Sequence, residues 1–168
     1  PGISSAASDV YKRQVNILLA KTLADMGLSI LLIDADMRKP QLHYRFGLNN
    51  ILGLSNYLID KKKNITSVVQ KVEKIKNLSV ITAGKIPPDP TRLLGSERMK
   101  NLIKDLENSE DYDLILIDSP PVLGLADVLL IAENTDGIIL LISLEKVKRD
   151  LPIQAITNIN NTKSTLLG

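Results

Sequence analysis

Two runs of aliphatic residues each end in aspartates, whose residue type and spacing suit a catalytic or metal-binding role. Ile30–Ile33 precedes Asp34 and Asp36, and Leu114–Ile117 precedes Asp118. Strand-like alternation would place Asp34 and Asp36 on the same side of the chain. Carboxylates with an ordinary pKa of ~3.9 are ionised at neutral pH and repel each other unless a cation compensates them, commonly Mg²⁺ with bound phosphate. The pattern therefore predicts phosphate chemistry at two strand ends.

A simpler interpretation of these aspartates stays open. Aspartate is common in turns and caps that follow strands, where its side chain accepts hydrogen bonds from nearby backbone N–H groups. However, the apolar strand that ends in Asp118 is typical of a Walker B strand, whose aspartate holds a metal directly or through water. Two acidic strand ends in one chain favour the chemical interpretation over the structural one.

Composition excludes several other kinds of site. The 168 residues include no cysteine, which removes disulfides, thiol catalysis and cysteine-ligated metals. His43 is the single histidine, which argues against a histidine metal site or a Ser-His-Asp triad. A net charge of +2 and 3% aromatic residues argue against nucleic acid as a partner. Because no apolar run approaches the ~18–20 residues that span a bilayer, we expect a cytoplasmic globular domain.

Alternating strand and helix patterns predict the elements that position the carboxylates. Strands are predicted at Ile30–Ile33, Leu78–Thr82, Leu114–Ile117 and Gly137–Ile142. Helices are predicted at Val15–Met26, Leu42–Phe46, Ser55–Ile59, Asn64–Lys74, Ser96–Leu106, Ala126–Glu133 and Leu151–Ile159, with a proline-rich loop from Pro87 to Pro90. This order predicts an α/β fold with a mostly parallel sheet and helices on both faces. The carboxyl ends of its strands then share one edge, where such sheets bind ligands.

Both ends of the chain differ from the regular pattern between them. Residues 1–14 are rich in small residues and have no usable period, so we expect a non-native or disordered leader. Residues 15–168 are then an incomplete domain, whose kind the motifs below indicate. At the other end, Ser164–Gly168 resembles the start of a further strand. We therefore expect a domain truncated at both ends.

Three motifs in order resemble the nucleotide-binding domain of bacterial tyrosine kinases, which belong to the P-loop proteins. They are IDADMRKP from Ile33, PPDP with LLGSERM from Pro87, and IDSPPVL from Ile117. Each motif alone is shared with partition and septum-site ATPases, but their combination is specific. The resemblance extends from about Leu19 to Ile142 and implies a P-loop NTPase-like fold.

The resemblance implies an ATP-dependent protein-tyrosine autokinase that regulates capsular and extracellular polysaccharide assembly. It assigns Asp34 and Asp36 to the Walker A′ motif, as catalytic residues and Mg²⁺ ligands, with Asp34 the better candidate for general base. Asp118 matches the Walker B aspartate that holds Mg²⁺, directly or through water. The implied cofactors are ATP and Mg²⁺. The implied partners are further copies of the chain and a membrane-spanning activator or polysaccharide co-polymerase domain at the inner face of the cell membrane.

The chain departs from this family where a phosphate-binding loop is expected. Such a loop reads G-x-x-x-x-G-K-[ST] and lies just before a helix, so that its backbone N–H groups approach the phosphates. Lys12 falls near the position of the loop lysine, which makes it a nucleotide-binding candidate on position alone. Asp9 and Tyr11 stand where glycine is expected, and Arg13 and Gln14 where Ser or Thr is expected. We therefore expect this chain to bind ATP poorly or not at all, although its parent protein binds it.

Other assignments stay open at this point. Arg38 could pair with Asp36 or face a phosphate, and we carry it as a cofactor-binding candidate. His43 is expected to be a surface or loop-packing residue. Two alternative functions also remain, a partition or septum-site ATPase and a non-catalytic module that docks on a polysaccharide-export partner.

Overall fold

The computed structural model describes residues 4–120, 126–142, 150–162 and 164–168, with side chains described from Tyr11 onward. The helices are α1 Ser4–Asp25, α2 Leu42–Phe46, α3 Leu54–Ile59, α4 Pro90–Leu94, α5 Glu97–Asn108, α6 Asp127–Ala132 and α7 Asp150–Asn160. The strands are β1 Ile30–Asp34, β2 Val69–Lys71, β3 Leu78–Ile81 and β4 Leu114–Asp118, and Ile65–Ser67 forms a 3₁₀ turn. None of the helices within the described ranges is long and apolar enough to cross a membrane.

The four strands form one sheet in the order β2-β3-β1-β4. β1 pairs in parallel with both β3 and β4, whereas β2 is antiparallel to β3. All five residues of β1 are buried, as expected for a central parallel strand that reads as a continuous aliphatic run. The predicted mostly parallel sheet is confirmed.

Side chains of β1 alternate between two apolar clusters, one on each face of the sheet. Leu31 and Ile33 pack in a cluster that includes four buried residues of α5. Leu32 packs in the other cluster with Ala20 and Ala24 of α1. Helices therefore cover both faces, as predicted. The α5 residues are the stripe that the sequence placed in the core: Met99, Leu102, Ile103 and Leu106.

The predicted helix at Asn64–Lys74 is wrong. Its apolar residues recur at helical spacing, but the Asn64 side chain accepts a hydrogen bond from Thr66 N and starts a 3₁₀ turn. Val69–Lys71 then continues as β2 along the outer edge of β3. Pairing with β3 satisfies backbone groups that a helix would leave open at this edge, and β-branched valines suit a strand. Tertiary context therefore overrides the local period.

Three further boundaries differ from prediction. α1 begins at Ser4, so its predicted start at Val15 is wrong, and whether residues 1–14 are non-native stays a prediction. The proline-rich loop leads directly into a short helix, α4, because the Asp89 side chain caps it and Pro90 suits a first helical position. The predicted strand at Gly137–Ile142 reduces to one parallel bridge between Ile138 and Leu166, since no described strand of the sheet pairs with it.

Arg98 of α5 joins two parts of the fold that the sequence does not link. Its guanidinium donates to four carbonyl oxygens at the end of α3 and in the following turn, those of Tyr57, Asp60, Lys61 and Lys63. It also lies 4.2 Å from the centre of the Tyr57 ring. The last carbonyls of a helix need such donors, and a planar guanidinium can serve several at once.

We expect Arg98→Lys to lower the free energy of unfolding by about 1–3 kcal/mol, because an ammonium cannot replace these four directed hydrogen bonds. Urea denaturation followed by circular dichroism measures the change. Arg92→Lys is the matched control, since Arg92 is exposed and its side chain makes none of these contacts. Equal stability of the two variants would contradict this role of Arg98.

Candidate functional site

The carboxyl ends of β1 and β4 lie side by side and bring the predicted aspartates together. Asp34 and Asp118 are register partners in the parallel pair, and both are fully buried. Asp36 lies two residues further along and is only 2% exposed. The sequence therefore identified the three buried acidic residues of this sheet edge. Their separate contacts show how so much negative charge is accommodated.

Asp34 is surrounded by backbone donors. Its Oδ2 accepts hydrogen bonds from the N–H groups of Gln41 and Leu42, both at 3.1 Å, and its Oδ1 accepts from Asp36 N at 3.2 Å. Burial raises its pKa to about 7, opposed by the hydrogen bond from Leu42 and reinforced by the charge of Asp118. Asp34 therefore fixes the loop between β1 and α2, which is the cap-like role that the simpler interpretation predicted.

Asp36 combines a turn contact with a buried ion pair. Its Oδ1 accepts from Lys39 N at 3.1 Å, within the same loop. Its Oδ2 accepts a hydrogen bond from Nη2 of Arg13, a residue of α1 that is only 6% exposed. The same Nη2 also donates to Lys39 O at 3.0 Å. Arg13 therefore holds both the carboxylate and its loop against α1.

Asp118 is compensated by three residues of α1. Its Oδ1 lies 3.2 Å from Lys12 Nζ and accepts a hydrogen bond from Asn16 Nδ2 at 2.8 Å. Its Oδ2 lies 3.4 Å from Arg13 Nε, but the two atoms are not aligned for a hydrogen bond and neither has another partner among the described residues. Burial raises the pKa of Asp118, and the Lys12 ammonium opposes that shift. Lys12 Nζ also donates to Ser119 O, which anchors the end of β4.

Arg13 and Asn16 are site residues that the sequence analysis missed. With the helix predicted to start at Val15, Arg13 lay outside it, and Asn16 in its first turn was given no contact with the strand ends. Because α1 extends from Ser4, Lys12 and Asn16 both lie in the helix. Their separation of four residues then places them on one helix face. The signal available in the sequence was the group of polar residues Lys12, Arg13 and Asn16 next to the aliphatic part of the helix. The side chain of Asp9, which stands where glycine is expected, lies outside the described residues.

Arg38 forms its ion pair with Asp127 rather than with Asp36, as part of a separate polar group. Its Nε lies 3.0 Å from Oδ2 of Asp127, and its Nη2 donates to Thr91 Oγ1 at 2.9 Å. Thr91 in turn donates to the other oxygen of Asp127, which is 1% exposed. The hydrogen bond with Asp127 raises the pKa of Arg38. The predicted option of an Asp36 partner is therefore wrong, and Thr91 and Asp127 are further residues that the sequence did not flag.

As folded, this edge of the sheet does not fit Mg²⁺ and a nucleotide. α1 is continuous through the expected loop position, and N–H groups beyond the first turn of a helix bond to its own carbonyls rather than to phosphates. Lys12 and Arg13 already contact Asp36 and Asp118, where a metal would bind. Within the described parts of the chain, no three acidic or histidine side chains converge closely enough to hold a metal ion. Both basic residues would have to move away first.

Comparisons with known proteins agree with the resemblance seen in the motifs. Residues 6–166 match the family described as an AAA domain. The tyrosine-protein kinase YwqD of Bacillus subtilis is 39% identical over 166 residues, which are 99% of this chain and 68% of YwqD. The kinase domain of the Escherichia coli tyrosine kinase ETK superposes with a TM-score of 0.83 at 29% identity, covering 89% of this chain and 57% of that one.

A more distant structure shares the fold alone. The septum site-determining protein MinD of Pyrococcus horikoshii, in complex with Mg-ADP, superposes with a TM-score of 0.68 at 17% identity, over all of this chain and 65% of that one. The P-loop NTPase-like α/β fold is therefore confirmed. The identity to YwqD across nearly the whole sequence goes further, and this chain belongs to the family of bacterial tyrosine-protein kinases.

Proposed function

We propose that the complete protein is an ATP-dependent protein-tyrosine autokinase that regulates capsular or extracellular polysaccharide assembly and export, with this chain as part of its nucleotide-binding domain. The observation that carries the proposal is the pairing of Asp34 with Asp118 at one sheet edge, in a chain of the tyrosine kinase family. Phosphoryl transfer depends mainly on alignment and charge stabilisation, and carboxylates at the ends of buried strands have fixed positions.

Each carboxylate has a proposed role in the complete protein. Asp34 and Asp36 are the catalytic residues that orient the attacking tyrosine hydroxyl, and together with Asp118 they are the Mg²⁺ ligands. Lys12 stays a nucleotide-binding candidate by position only. Arg38 remains a candidate for phosphate contact, because its guanidinium is held by Asp127 and Thr91 while its side chain stays 40% exposed.

The protonation of Asp34 supports its assignment as the base. A general base works best when its pKa lies near the working pH. In the metal-free chain, burial brings the pKa of Asp34 to about 7, so its carboxyl group is part-protonated at neutral pH; Mg²⁺ on the same carboxylate would lower that pKa. Three backbone N–H groups stay directed at its oxygens and hold its orientation.

The wider assembly is proposed from the family resemblance. It consists of several copies of the kinase and a membrane-spanning activator or co-polymerase domain, at the cytoplasmic face of the membrane. This chain spans 68% of YwqD and 57% of the ETK kinase domain, so the activity of the whole protein also involves sequence beyond the matched region.

A second candidate function is a non-catalytic docking module within the same polysaccharide system. The observation that favours it is the closed ion-pair arrangement, because Lys12 and Arg13 satisfy the carboxylates without metal or nucleotide. The septum-site ATPase alternative has no comparable support, since the likeness to MinD at 17% identity concerns the fold.

The first prediction from the proposed function concerns phosphotyrosine formation by the complete protein expressed from its gene. Asp34→Asn and Asp118→Asn should each reduce autophosphorylation with Mg-ATP at least about 100-fold, because each removes a charge that the transition state needs. An anti-phosphotyrosine immunoblot measures the product, and Asp105→Asn on the exposed face of α5 is the matched control. ATP hydrolysis without phosphotyrosine would instead indicate an ATPase, and neither activity would indicate the docking module.

The second prediction concerns nucleotide binding by the 168-residue chain alone. Isothermal titration calorimetry should detect no Mg-ATP binding at millimolar nucleotide, because α1 presents helical N–H groups and its basic residues occupy Asp36 and Asp118. The complete protein serves as the positive control. Micromolar binding by the chain alone would show that α1 can rearrange into a phosphate-binding conformation.

The third prediction is a pH dependence of stability that originates at Asp34. The carboxyl group keeps its proton in the folded state up to about pH 7 but loses it near pH 3.8 when unfolded. Between these values the unfolded state binds fewer protons, so the free energy of unfolding should fall as pH rises, by up to ~1.4 kcal/mol per pH unit from this group. The contribution is therefore present below pH 3.8 and lost above pH 7.

Urea midpoints at pH 5, 6, 7 and 8 test this prediction. Asp34→Asn cannot ionise, so its stability should change less over this range than that of the unmodified chain. Asp105→Asn should show the same decrease of the free energy of unfolding with pH as the unmodified chain. If the free energy of unfolding of Asp34→Asn falls as steeply with pH as that of the unmodified chain, the raised pKa of Asp34 is wrong.

A further inference from the structure

Strand β4 lies at one edge of the sheet, although its sequence is typical of a central strand. Leu114–Ile117 is a continuous aliphatic run like that of β1, which is buried along its whole length. No strand within the described parts of the chain pairs with the outer side of β4. Its aliphatic side chains are therefore partly exposed, and Leu114 reaches 36%. A further strand on that outer side would bury them.

The two edges of the sheet differ in their protection against a new partner strand. Short length, charged residues and proline are common ways in which an edge strand avoids further pairing. The edge strand β2 has three residues and ends in Lys71. By contrast, β4 has five residues, and Leu114–Ile117 contains no charged residue and no proline. Asp118, at its end, is compensated by basic residues of α1 and therefore does not repel a partner strand.

The backbone of β4 presents unpaired groups on this outer side. Asp118 O accepts a hydrogen bond from Ala35 N at 2.8 Å, so the backbone groups of Asp118 face β1. Backbone groups of successive strand residues point to opposite sides, so those of Leu116 also face β1, whereas those of Ile115 and Ile117 point outward. These outward groups have no hydrogen-bond partner among the described residues. They have the spacing that a further strand requires.

A second exposed aliphatic segment of the chain does not occupy this edge. Ile138 N donates to Thr165 O at 2.8 Å, and Leu140 N donates to Gly168 O at 2.7 Å. This segment therefore pairs with the end of the chain, and in the described structure it has no register with β4. It is thus no partner for β4 within one copy.

We propose that the outer edge of β4 pairs antiparallel with β4 of a second copy of this chain, about a two-fold axis beside Leu116. In this register, Ile115 of each copy lies opposite the partner's Ile117, so the outward N–H and C=O groups of both residues are paired in both directions. Leu116 lies opposite the partner's Leu116 across the axis. Isologous pairing of this kind closes at two copies.

An identical strand suits this edge for three reasons. It supplies outward groups that match those of Ile115 and Ile117, it brings no charge against Leu114–Ile117, and it is present at the concentration of the chain itself. Antiparallel pairs are also slightly more stable per residue than parallel ones. The inference does not rest on the proposed kinase function, because strand pairing requires neither nucleotide nor phosphoryl transfer.

Sedimentation equilibrium of the 168-residue chain tests self-association. At about 100 µM the average mass should approach twice 18.5 kDa, and at about 1 µM it should return to 18.5 kDa, because a single strand pair is a small, weak interface. Leu116→Lys should stay monomeric at about 100 µM, since it places two ammonium groups opposite each other at the axis. An equimolar mixture of Leu116→Lys and Leu116→Glu should dimerise again.

Disulfide cross-linking tests the register without a large change in the side chain. The chain has no cysteine, so Leu116→Cys introduces a single thiol. Across the axis, the two Cβ atoms would lie about 4.5–5.5 Å apart, which is close enough for a disulfide after small adjustments. Leu114→Cys is the matched control, because its two copies would be about 14 Å apart along the strands. Mild oxidation should cross-link Leu116→Cys and leave Leu114→Cys uncross-linked.

Several outcomes would overturn the inference. A mass of 18.5 kDa at about 100 µM would show that a second copy does not bind. Equal cross-linking of the two cysteine variants would place the contact elsewhere, as would a Leu116→Lys variant that still dimerises. Slow amide exchange at Ile115 and Ile117 in a monomeric chain would show that a segment of the same copy covers the edge. If circular dichroism shows that Leu116→Lys is unfolded, the two cysteine variants decide.

Discussion

Burial of three carboxylates at one edge of the sheet is the constraint on which this structure depends. An isolated charge is costly in the interior unless it is neutralised, paired or hydrogen-bonded. Asp34 uses backbone N–H groups and a raised pKa, Asp36 pairs with Arg13, and Asp118 uses Lys12, Arg13 and Asn16. Most of this compensation comes from α1. Electrostatics therefore fixes the position of α1 together with the packing of Ala20 and Ala24.

A metal ion with bound phosphate could neutralise the same carboxylates. It could not do so while Lys12 and Arg13 are paired with them. Lys12 and Arg13 contact the oxygens that a metal would need, and removal of these basic residues without a replacement cation would leave buried charges unpaired. Internal ion pairing and metal binding are thus competing solutions to one charge problem. In this chain, the basic residues of α1 decide the outcome in favour of internal ion pairing.

The sequence predicted the parts of the fold that local pattern determines. Continuous aliphatic runs identified β1, β3 and β4, and the parallel arrangement placed Asp34 beside Asp118. The predictions failed where a partner distant in sequence determines the local structure or the side-chain contact. β2 forms because β3 offers an open edge, although its residues fit a helical period. Arg38 pairs with Asp127, which is 89 residues away, because folding brings α6 next to that loop. Neither partner can be read from nearby residues.

The structural and catalytic interpretations of Asp34 are compatible. As a cap-like residue, Asp34 must be buried beneath the loop whose N–H groups it accepts, and that burial raises its pKa to about 7. A carboxyl group in water, with a pKa near ~3.9, would be a weak proton acceptor at neutral pH. The burial that accompanies this contact raises the proton affinity of Asp34, although the hydrogen bonds from Leu42 and Gln41 themselves oppose that rise. A residue can serve both purposes because the loop supplies donors to one oxygen through Gln41 and Leu42, and only a single N–H, that of Asp36, to the other.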